Sequence, residues 1–164
     1  MDRLWAPWRL EYVQASRTPG CIFCLGDEPD DESRLVLQRG RHCFIIMNRF
    51  PYSNGHLMIA PLRHTADPGA LAAEEAAELY RMTVYCRDIL LQTCRPQGFN
   101  IGMNLGEVAG AGVLDHMHQH IVPRWAGDTN FMPVFADVRV IPQHLEATYR
   151  QLREAMARNP GNFQ

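Results

Sequence analysis

The sequence predicts one α+β domain with a largely antiparallel sheet. Short apolar runs alternate with turn residues, one long segment has helical periodicity, and a shorter one follows near the C-terminal end. The chain of 164 residues is 46% hydrophobic, enough for the core of a single domain spanning residues 1–164. Because the order is strands, helix, strands, helix with mostly short connections, neighbouring strands are expected to pair antiparallel.

Five short apolar runs are predicted to be strands: residues 35–37, 43–47, 57–60, 99–103 and 116–122. The turn Gln38-Arg39-Gly40-Arg41 joins the first two, which predicts a hairpin. Pro61 and Pro123 are each expected to end a strand, since proline has no N–H for the ladder.

Two helices are predicted, over residues 73–94 and 143–157, each with apolar residues at steps of three and four. Pro96 and Gly98 are expected to end the first. Residues 1–20 are rich in Trp, Arg and Pro and are interpreted as an irregular arm. Five strands and two helices make a thin core, which favours a sheet that extends across a dimer.

The composition argues against several function classes. The net charge of −2 gives no basic field for a broad nucleic-acid surface. No apolar run is long enough to span a bilayer, and the first residues lack the pattern of a signal peptide. We therefore expect a cytoplasmic protein without a membrane or nucleic-acid partner. Its five cysteines are then thiols or metal ligands rather than disulfides.

Three histidines alternate along the last predicted strand, at positions 116, 118 and 120. Side chains two residues apart project from the same face of a strand. Such a row suits nucleophilic catalysis, in which one ring attacks while others orient it. It suits a metal site equally well. A polar surface ladder without a role is the least favoured interpretation.

A loop rich in glycine, residues 104–112, lies just before this strand. Glycine lets backbone N–H groups approach an anion closely. Beside the histidines the loop is interpreted as a phosphate cradle, although alone it is more often a turn.

The histidine run resembles a known motif, that of the histidine-triad family: His116-Met117-His118-Gln119-His120-Ile121-Val122. Residues 48–64 resemble the upstream signature of the same family, and the likeness covers about residues 21–125. Residues 4–9, 123–125 and 127–134 are similar to the branch that contains diadenosine tetraphosphate phosphorylases. The resemblance implies the HIT-like fold and a homodimer.

The resemblance implies that His118 attacks the α-phosphorus of a nucleotide and forms a covalent nucleotidyl-histidine. Water as the second acceptor makes the enzyme a hydrolase of dinucleoside polyphosphates or nucleoside phosphoramidates. Inorganic phosphate makes it a phosphorylase that releases ADP. A nonenzymatic zinc- or nucleotide-binding module remains a third hypothesis, and no organic cofactor is implied.

By position in the family, His120 and His56 would orient the nucleophile and contact phosphate. Asn104 would lie on the phosphate side and Asn48 at the ribose. Each has a structural alternative: His56 as a buried core residue, and the asparagines as turn residues that satisfy backbone.

The chain departs from the family before the triad, where Gly112 and Val113 replace a Gln and a Ser that contact phosphate in many members. Backbone N–H groups from Ala111 onward, with Gly110 in the same loop, are expected to substitute. Gln119 replaces an apolar residue and is expected under a loop or a neighbouring subunit.

Cys21-Ile22-Phe23-Cys24 has the spacing of a zinc knuckle, and a structural zinc needs four ligands. The family implies that His64 and His116 supply the other two, so a structural zinc is hypothesised. The alternative is a pair of free thiols.

Trp125, with Trp5 and Trp8, is a candidate for stacking on a base. An anchor in the core or at a dimer interface is the competing interpretation.

Overall fold

The sheet contains five antiparallel strands in the order β1-β2-β3-β5-β4. The structure is a computed structural model and describes residues 20–26, 30–128 and 143–163. The strands are β1 (Val36–Arg39), β2 (Cys43–Met47), β3 (Leu57–Pro61), β4 (Gly98–Met103) and β5 (Gln119–Arg124). The helices are α1 (Ala73–Thr93) and α2 (Leu145–Arg158). The predicted α+β, HIT-like fold is confirmed, whereas the predicted arm and residues 129–134 of the branch motif lie outside the described residues.

The last strand is displaced from its predicted bounds, because it begins at Gln119 rather than His116 and continues through Pro123 to Arg124. The expectation that Pro123 ends it was wrong. Pairing of β3 with β5 stops at Leu57 opposite Ile121, so beyond that point β5 pairs with β4 alone. A proline on such a one-sided stretch costs no ladder bond when its ring faces the open side.

Helix α1 ends within one residue of its predicted limit, and its start is capped from one side only, by the side chain of Glu75. The backbone N–H of Ala72 donates to the Glu75 carboxylate at 2.8 Å, which supplies the first turn with a negative charge. Arg63 pairs with the same carboxylate at 2.7 Å. The Arg63 partner and the backbone bond lower the pKa of Glu75 to about 2. None of the described helices is long and apolar enough to cross a membrane.

The two faces of the sheet have different neighbours. One face packs on α1 and α2 and carries the larger core, which includes Met117 and Ile121 of the triad segment. Gln119 belongs to this face and donates to the Thr83 hydroxyl of α1 at 2.6 Å. It therefore lies under a helix, not under a loop or a second subunit as expected.

The opposite face carries a smaller apolar cluster, formed by Phe23, Leu25, Val36, Phe44, Ile46, Met58 and Ala60. The alternation of β3 and β5 places Met58 directly opposite His120 on this face. The histidine row therefore lies on the side of the sheet away from the helices.

Candidate functional site

Of the three triad histidines, His116 and His118 lie just before β5, and His120 is its second residue. His116 is fully buried, and His118 and His120 expose 6% and 9% of their surfaces. The rings of His118 and His120 lie 4.8 Å apart in an edge-to-face arrangement. The alternation expected from the sequence holds, although only His120 is within the ladder.

The hydrogen bonding of His118 fixes which nitrogen carries its proton. Its Nδ1 lies 3.0 Å from the carbonyl oxygen of His116, which only accepts, so Nδ1 is the protonated nitrogen. The lone pair of the neutral ring is then on Nε2. Burial lowers the pKa of His118, against the opposing effect of this bond, so the ring is neutral at pH 7.

His56 and His120 form a hydrogen-bonded chain that ends at Nε2 of His120. The backbone N–H of Tyr52 donates to Nδ1 of His56 at 3.1 Å, which places the His56 proton on Nε2. That Nε2 donates to Nδ1 of His120 at 2.9 Å. The proton of neutral His120 is therefore on Nε2, which is buried and has no hydrogen-bond partner among the described residues.

Burial, together with a smaller effect of the neighbouring His118, lowers the pKa of His120 to about 4. The ring stays neutral at pH 7, and its Nε2–H remains a donor. A buried donor without a partner is costly. A ligand oxygen placed there would remove that cost.

Asn48 lies beside this chain and serves the turn as well. Its Nδ2 is 3.3 Å from Nδ1 of His56, and its Oδ1 accepts from the Phe50 backbone at 2.9 Å. The geometry brings Asn48 to the histidines, and the turn interpretation accounts for one of its two contacts.

The four residues predicted as zinc ligands are brought together. Their ligand atoms, from Cys21, Cys24, His64 and His116, all lie within 4.8 Å of one another. The Cys21 sulfur is 3.4 Å from Nδ1 of His116, and the Cys24 sulfur is 3.3 Å from Nδ1 of His64. We call residues 21–24 the knuckle.

The geometry of this cluster fits a tetrahedral metal. Zinc–sulfur and zinc–nitrogen bonds of about 2.3 and 2.0 Å at tetrahedral angles separate the two ligand atoms by about 3.5 Å. In addition, Nε2 of His116 donates to the Pro61 carbonyl at 2.8 Å, so its Nδ1 lone pair faces the sulfurs. Such an outer hydrogen bond is typical of metal-binding histidines.

The loop before the triad uses two of its backbone N–H groups in hydrogen bonds within the loop. The N–H of Gly110 donates to Glu107 and that of Ala111 to Gly106, in a turn that needs the positive φ of 85° at Gly106 and 86° at Gly110. These two amides are therefore not free for an anion, contrary to expectation. Within the described part of the chain, the N–H groups of Gly112 and Val113 have no partner.

Asn104 also turns inward on this loop, because its Nδ2 donates to the Gly110 carbonyl at 3.4 Å. Among the described residues, Asn104 makes no hydrogen bond to a histidine.

Trp125 does not reach the histidines of its own chain. It follows β5 seven residues after His118, which at about 3.3 Å per residue is roughly 20 Å away. Its ring N–H donates to the Arg95 carbonyl at 3.2 Å. The role of Trp125 at the base is therefore not supported within one subunit; the anchor interpretation fits its bond.

Sequence reasoning missed two aromatic neighbours of the site. The Tyr52 ring lies 4.7 Å from that of His56 and 5.8 Å from that of His120. The Phe23 ring lies 4.6 Å from that of His118. For Phe23 a partial signal existed, since a metal shared by the knuckle and His116 would bring Ile22 and Phe23, which lie between the cysteines, close to the row.

Comparison with known proteins shows which proteins this chain is similar to. Residues 30–127 match the HIT domain family. The AP-4-A phosphorylase of Mycobacterium tuberculosis is 37% identical over 169 residues, which cover 98% of this chain and 87% of that protein. An uncharacterized HIT-like protein of Mycoplasma genitalium is 28% identical, over 73% of this chain and 83% of its own length.

Two solved structures share the fold. A Zn-bound histidine triad family protein from Mycobacterium smegmatis is 27% identical with a TM-score of 0.66, covering 85% of this chain and 95% of that chain. A diadenosine triphosphate hydrolase from Plasmodium falciparum has a TM-score of 0.61 over 79% of each chain. At 20% identity, the latter likeness shows the fold alone.

Proposed function

This chain belongs to the HIT family, and on that premise we propose that it is an enzyme that transfers a nucleotidyl group through a covalent bond to Nε2 of His118. The most specific form of the proposal is the phosphorolysis of diadenosine tetraphosphate to ADP and ATP. The name of the 37% identical relative from Mycobacterium tuberculosis supports this reaction.

The proton pattern of His118 is the observation that carries the proposal. A nucleophilic imidazole must be neutral and must have its lone pair on the attacking nitrogen. The carbonyl of His116 holds the proton on Nδ1, and burial keeps the pKa low. When Nε2 bonds to phosphorus the ring becomes cationic, and the same carbonyl then accepts from a more acidic N–H. The bond therefore strengthens as the reaction proceeds.

The reaction balances in two displacements. In the first, Nε2 of His118 attacks the α-phosphorus, a P–N bond forms and the P–O bond to the leaving ATP breaks. In the second, an oxygen of inorganic phosphate attacks the same phosphorus, the P–N bond breaks and ADP leaves. The ring returns to its starting neutral form. Splitting one displacement into two is the general benefit of covalent catalysis.

His120 is proposed to donate from Nε2 to an oxygen on the phosphorus undergoing attack. Negative charge on the phosphoryl oxygens requires fixed donors in a water-poor site. Nε2 of His120, which is buried and has no partner in the described part of the chain, meets that requirement. His56 fixes the tautomer of His120, and Tyr52 fixes that of His56 through its backbone N–H.

The remaining substrate contacts are proposed from position. Asn48 lies next to His56 and is proposed to bind the ribose. The free amides of Gly112 and Val113 are proposed to hold a phosphate, with Asn104, Gly110 and Ala111 shaping the loop around them. This division replaces the two side chains that many relatives use there.

A structural zinc is proposed on Cys21, Cys24, His64 and His116. The fit of the sulfur–nitrogen distances supports it, as does the Zn-bound relative from Mycobacterium smegmatis. Zinc would act by closing the knuckle onto the triad segment. With Nδ1 on the metal and Nε2 bonded to Pro61, His116 moves no proton in the reaction.

A homodimer is proposed through the edge strand β4. This strand pairs with β5 on one side only within the described residues, and Ile101 at its middle is 46% exposed. An open edge favours pairing with a second copy. Sedimentation of the wild type and of Ile101→Lys would show a dimer and a monomer if the edge is the interface.

The function is tested by product analysis on diadenosine tetraphosphate with and without inorganic phosphate, with His118→Ala as the control. Phosphate-dependent ADP and ATP support phosphorolysis, whereas AMP and ATP without phosphate would make the protein a hydrolase. If no dinucleotide turns over, nucleoside phosphoramidates are tested next. Nucleotide binding unchanged by His118→Ala, without any turnover, would instead indicate a binding module.

A further inference from the structure

Phe23 connects the knuckle to the nucleophile. It stands between the two cysteines, and only 1% of its surface is exposed. Its ring centroid lies 4.6 Å from that of His118, with 32° between the planes, and 5.5 Å from that of His116. One aromatic ring therefore contacts both a proposed metal ligand and the proposed nucleophile.

A flat ring at this distance restricts the imidazole. Rotation of His118 by 180° about its Cβ–Cγ bond would exchange Nδ1 with Cδ2 and Nε2 with Cε1, and it sweeps the ring edge through the space that Phe23 fills. The His116 carbonyl alone opposes this rotation with one hydrogen bond. A single neutral hydrogen bond contributes little to such a preference in net terms.

The position of Phe23 is itself set from two sides. The cysteines before and after it belong to the cluster suited to zinc. From the other side, the Arg34 guanidinium donates to the carbonyls of Ile22, Cys24 and Leu25 at 2.8, 3.0 and 2.8 Å. The backbone around Phe23 is thus held independently of its own side chain.

We propose that Phe23 is a positioning residue: its ring holds the His118 imidazole in the orientation that presents Nε2 to phosphorus. The knuckle then supports the reaction through this side chain as well as through the His116 backbone. The inference rests on the proposed function for its catalytic consequence, and on geometry alone for the ring orientation.

The test compares Phe23→Leu with Phe44→Leu in the zinc-loaded protein. Phe44 belongs to the same apolar cluster, is fully buried and lies 6.4 Å from Phe23, so both changes remove a similar aromatic ring from one region. For Phe23→Leu we expect kcat to fall at least about tenfold with KM within about twofold, because misplacement of a reacting atom acts on the chemical step. For Phe44→Leu we expect kcat within about twofold.

Zinc content and melting temperature, measured on both variants, separate a positioning effect from loss of metal or fold. Equal losses of kcat in the two variants, or an unchanged kcat in Phe23→Leu, would overturn the proposal.

Long-range ¹H–¹⁵N NMR of the His118 ring provides a measurement that does not depend on turnover. We expect one tautomer, protonated at Nδ1, in the wild type and in Phe44→Leu, and exchange between two ring states in Phe23→Leu. A single unchanged state in Phe23→Leu would overturn the inference even if the enzyme is active. If the wild type turns over no nucleotide, the proposed function fails, and the NMR result still decides whether Phe23 holds the ring.

Discussion

His116 and His118 are two residues apart and lie on the same face of the sheet, yet they carry their protons on opposite nitrogens. In His116 the proton is on Nε2, bonded to the Pro61 carbonyl, and the Nδ1 lone pair faces two thiols. In His118 the proton is on Nδ1, bonded to the His116 carbonyl, and the lone pair is on Nε2. One ring is prepared for a metal and the other for attack on phosphorus.

The difference arises from the backbone partner, since burial lowers the pKa of both rings. A carbonyl oxygen accepts and never donates, so whichever nitrogen it meets becomes the protonated one. Adjacent members of one histidine row can thus have separate tasks without any change of residue type. If the two histidines have these separate tasks, variants at the two positions will lose different properties.

Removal of His118 is expected to have the largest effect. His118→Ala should lower kcat by at least about 10³-fold, because no other group can form the covalent bond. Zinc content and melting temperature should stay near the wild-type values, since His118 is not a ligand in the cluster. Steady-state kinetics with metal analysis checks both.

His144→Ala is the matched control for this experiment, because His144 is exposed and lies at the start of α2. It should leave kcat unchanged. Zinc loss in His118→Ala would contradict the division of tasks between the two histidines.

Removal of a proposed zinc ligand is expected to lower the stability of the fold first. Cys24→Ala should abolish stoichiometric zinc and reduce the melting temperature by about 10 °C. A ligand present at 1,000 times its Kd adds about 4 kcal/mol, and each kcal/mol shifts the melting temperature of a chain this size by about 2–4 °C.

Cys94→Ala is the control here, since Cys94 is half-buried and belongs to no cluster of metal-ligating residues in the described ranges. It should retain one zinc per chain. Equal zinc content in both cysteine variants would contradict a metal site at Cys24.

Interruption of the chain that ends at His120 should have a smaller effect on the reaction. His56→Ala removes the donor to Nδ1 of His120, so the tautomer of His120 is no longer fixed. We expect kcat to fall about 10²-fold, within the usual range for a positioned proton donor. His56→Gln carries a side-chain amide N–H and should recover part of the loss. Equal kcat values for the two variants would indicate that the donor bond is unimportant.

The pH dependence of folding should show the smallest effect. Burial lowers the pKa of His120 from 6.5 to about 4, so between these values the unfolded chain binds the proton that the folded chain excludes. The contribution of His120 to the free energy of unfolding is therefore present above pH 6.5 and is lost as the pH falls towards 4. Between pH 6.5 and 5 the loss is about 2 kcal/mol, at about 1.4 kcal/mol per pH unit.

Urea unfolding of the wild type and of His120→Gln across this range measures that loss. The Gln side chain has no titrating group, and its amide oxygen can accept from His56. A similar slope in both proteins would assign the pH dependence to other groups.

Some of this arrangement follows from the sequence by simple periodicity. A period of two places His116, His118 and His120 on one face. Helical periodicity predicts the end of α1 to within one residue of the observed end. The Cys-x-x-Cys spacing identified two members of the Cys/His cluster, and the family resemblance supplied the other two.

The rest depends on backbone groups that every residue carries. The carbonyls of Pro61 and His116 decide the two tautomers, but nothing in the residue letters marks them. Likewise, the glycines of the loop predicted backbone N–H groups free to bind an anion. Their positive φ angles instead fold the loop so that two of these N–H groups bond within it. Trp125 is close to the triad in sequence but roughly 20 Å from His118 along the extended strand, so its stacking on a base stays a prediction.

We propose that His118 alone receives the nucleotidyl group, on Nε2. The most direct measurement is rapid acid-free quenching of the enzyme with adenine-labelled diadenosine tetraphosphate in the absence of phosphate, followed by peptide mapping and NMR of the labelled ring. We expect stoichiometric label on His118 at Nε2 that is discharged as ADP when phosphate is added. Label on His116 or on His120, or turnover without any labelled histidine, would contradict it.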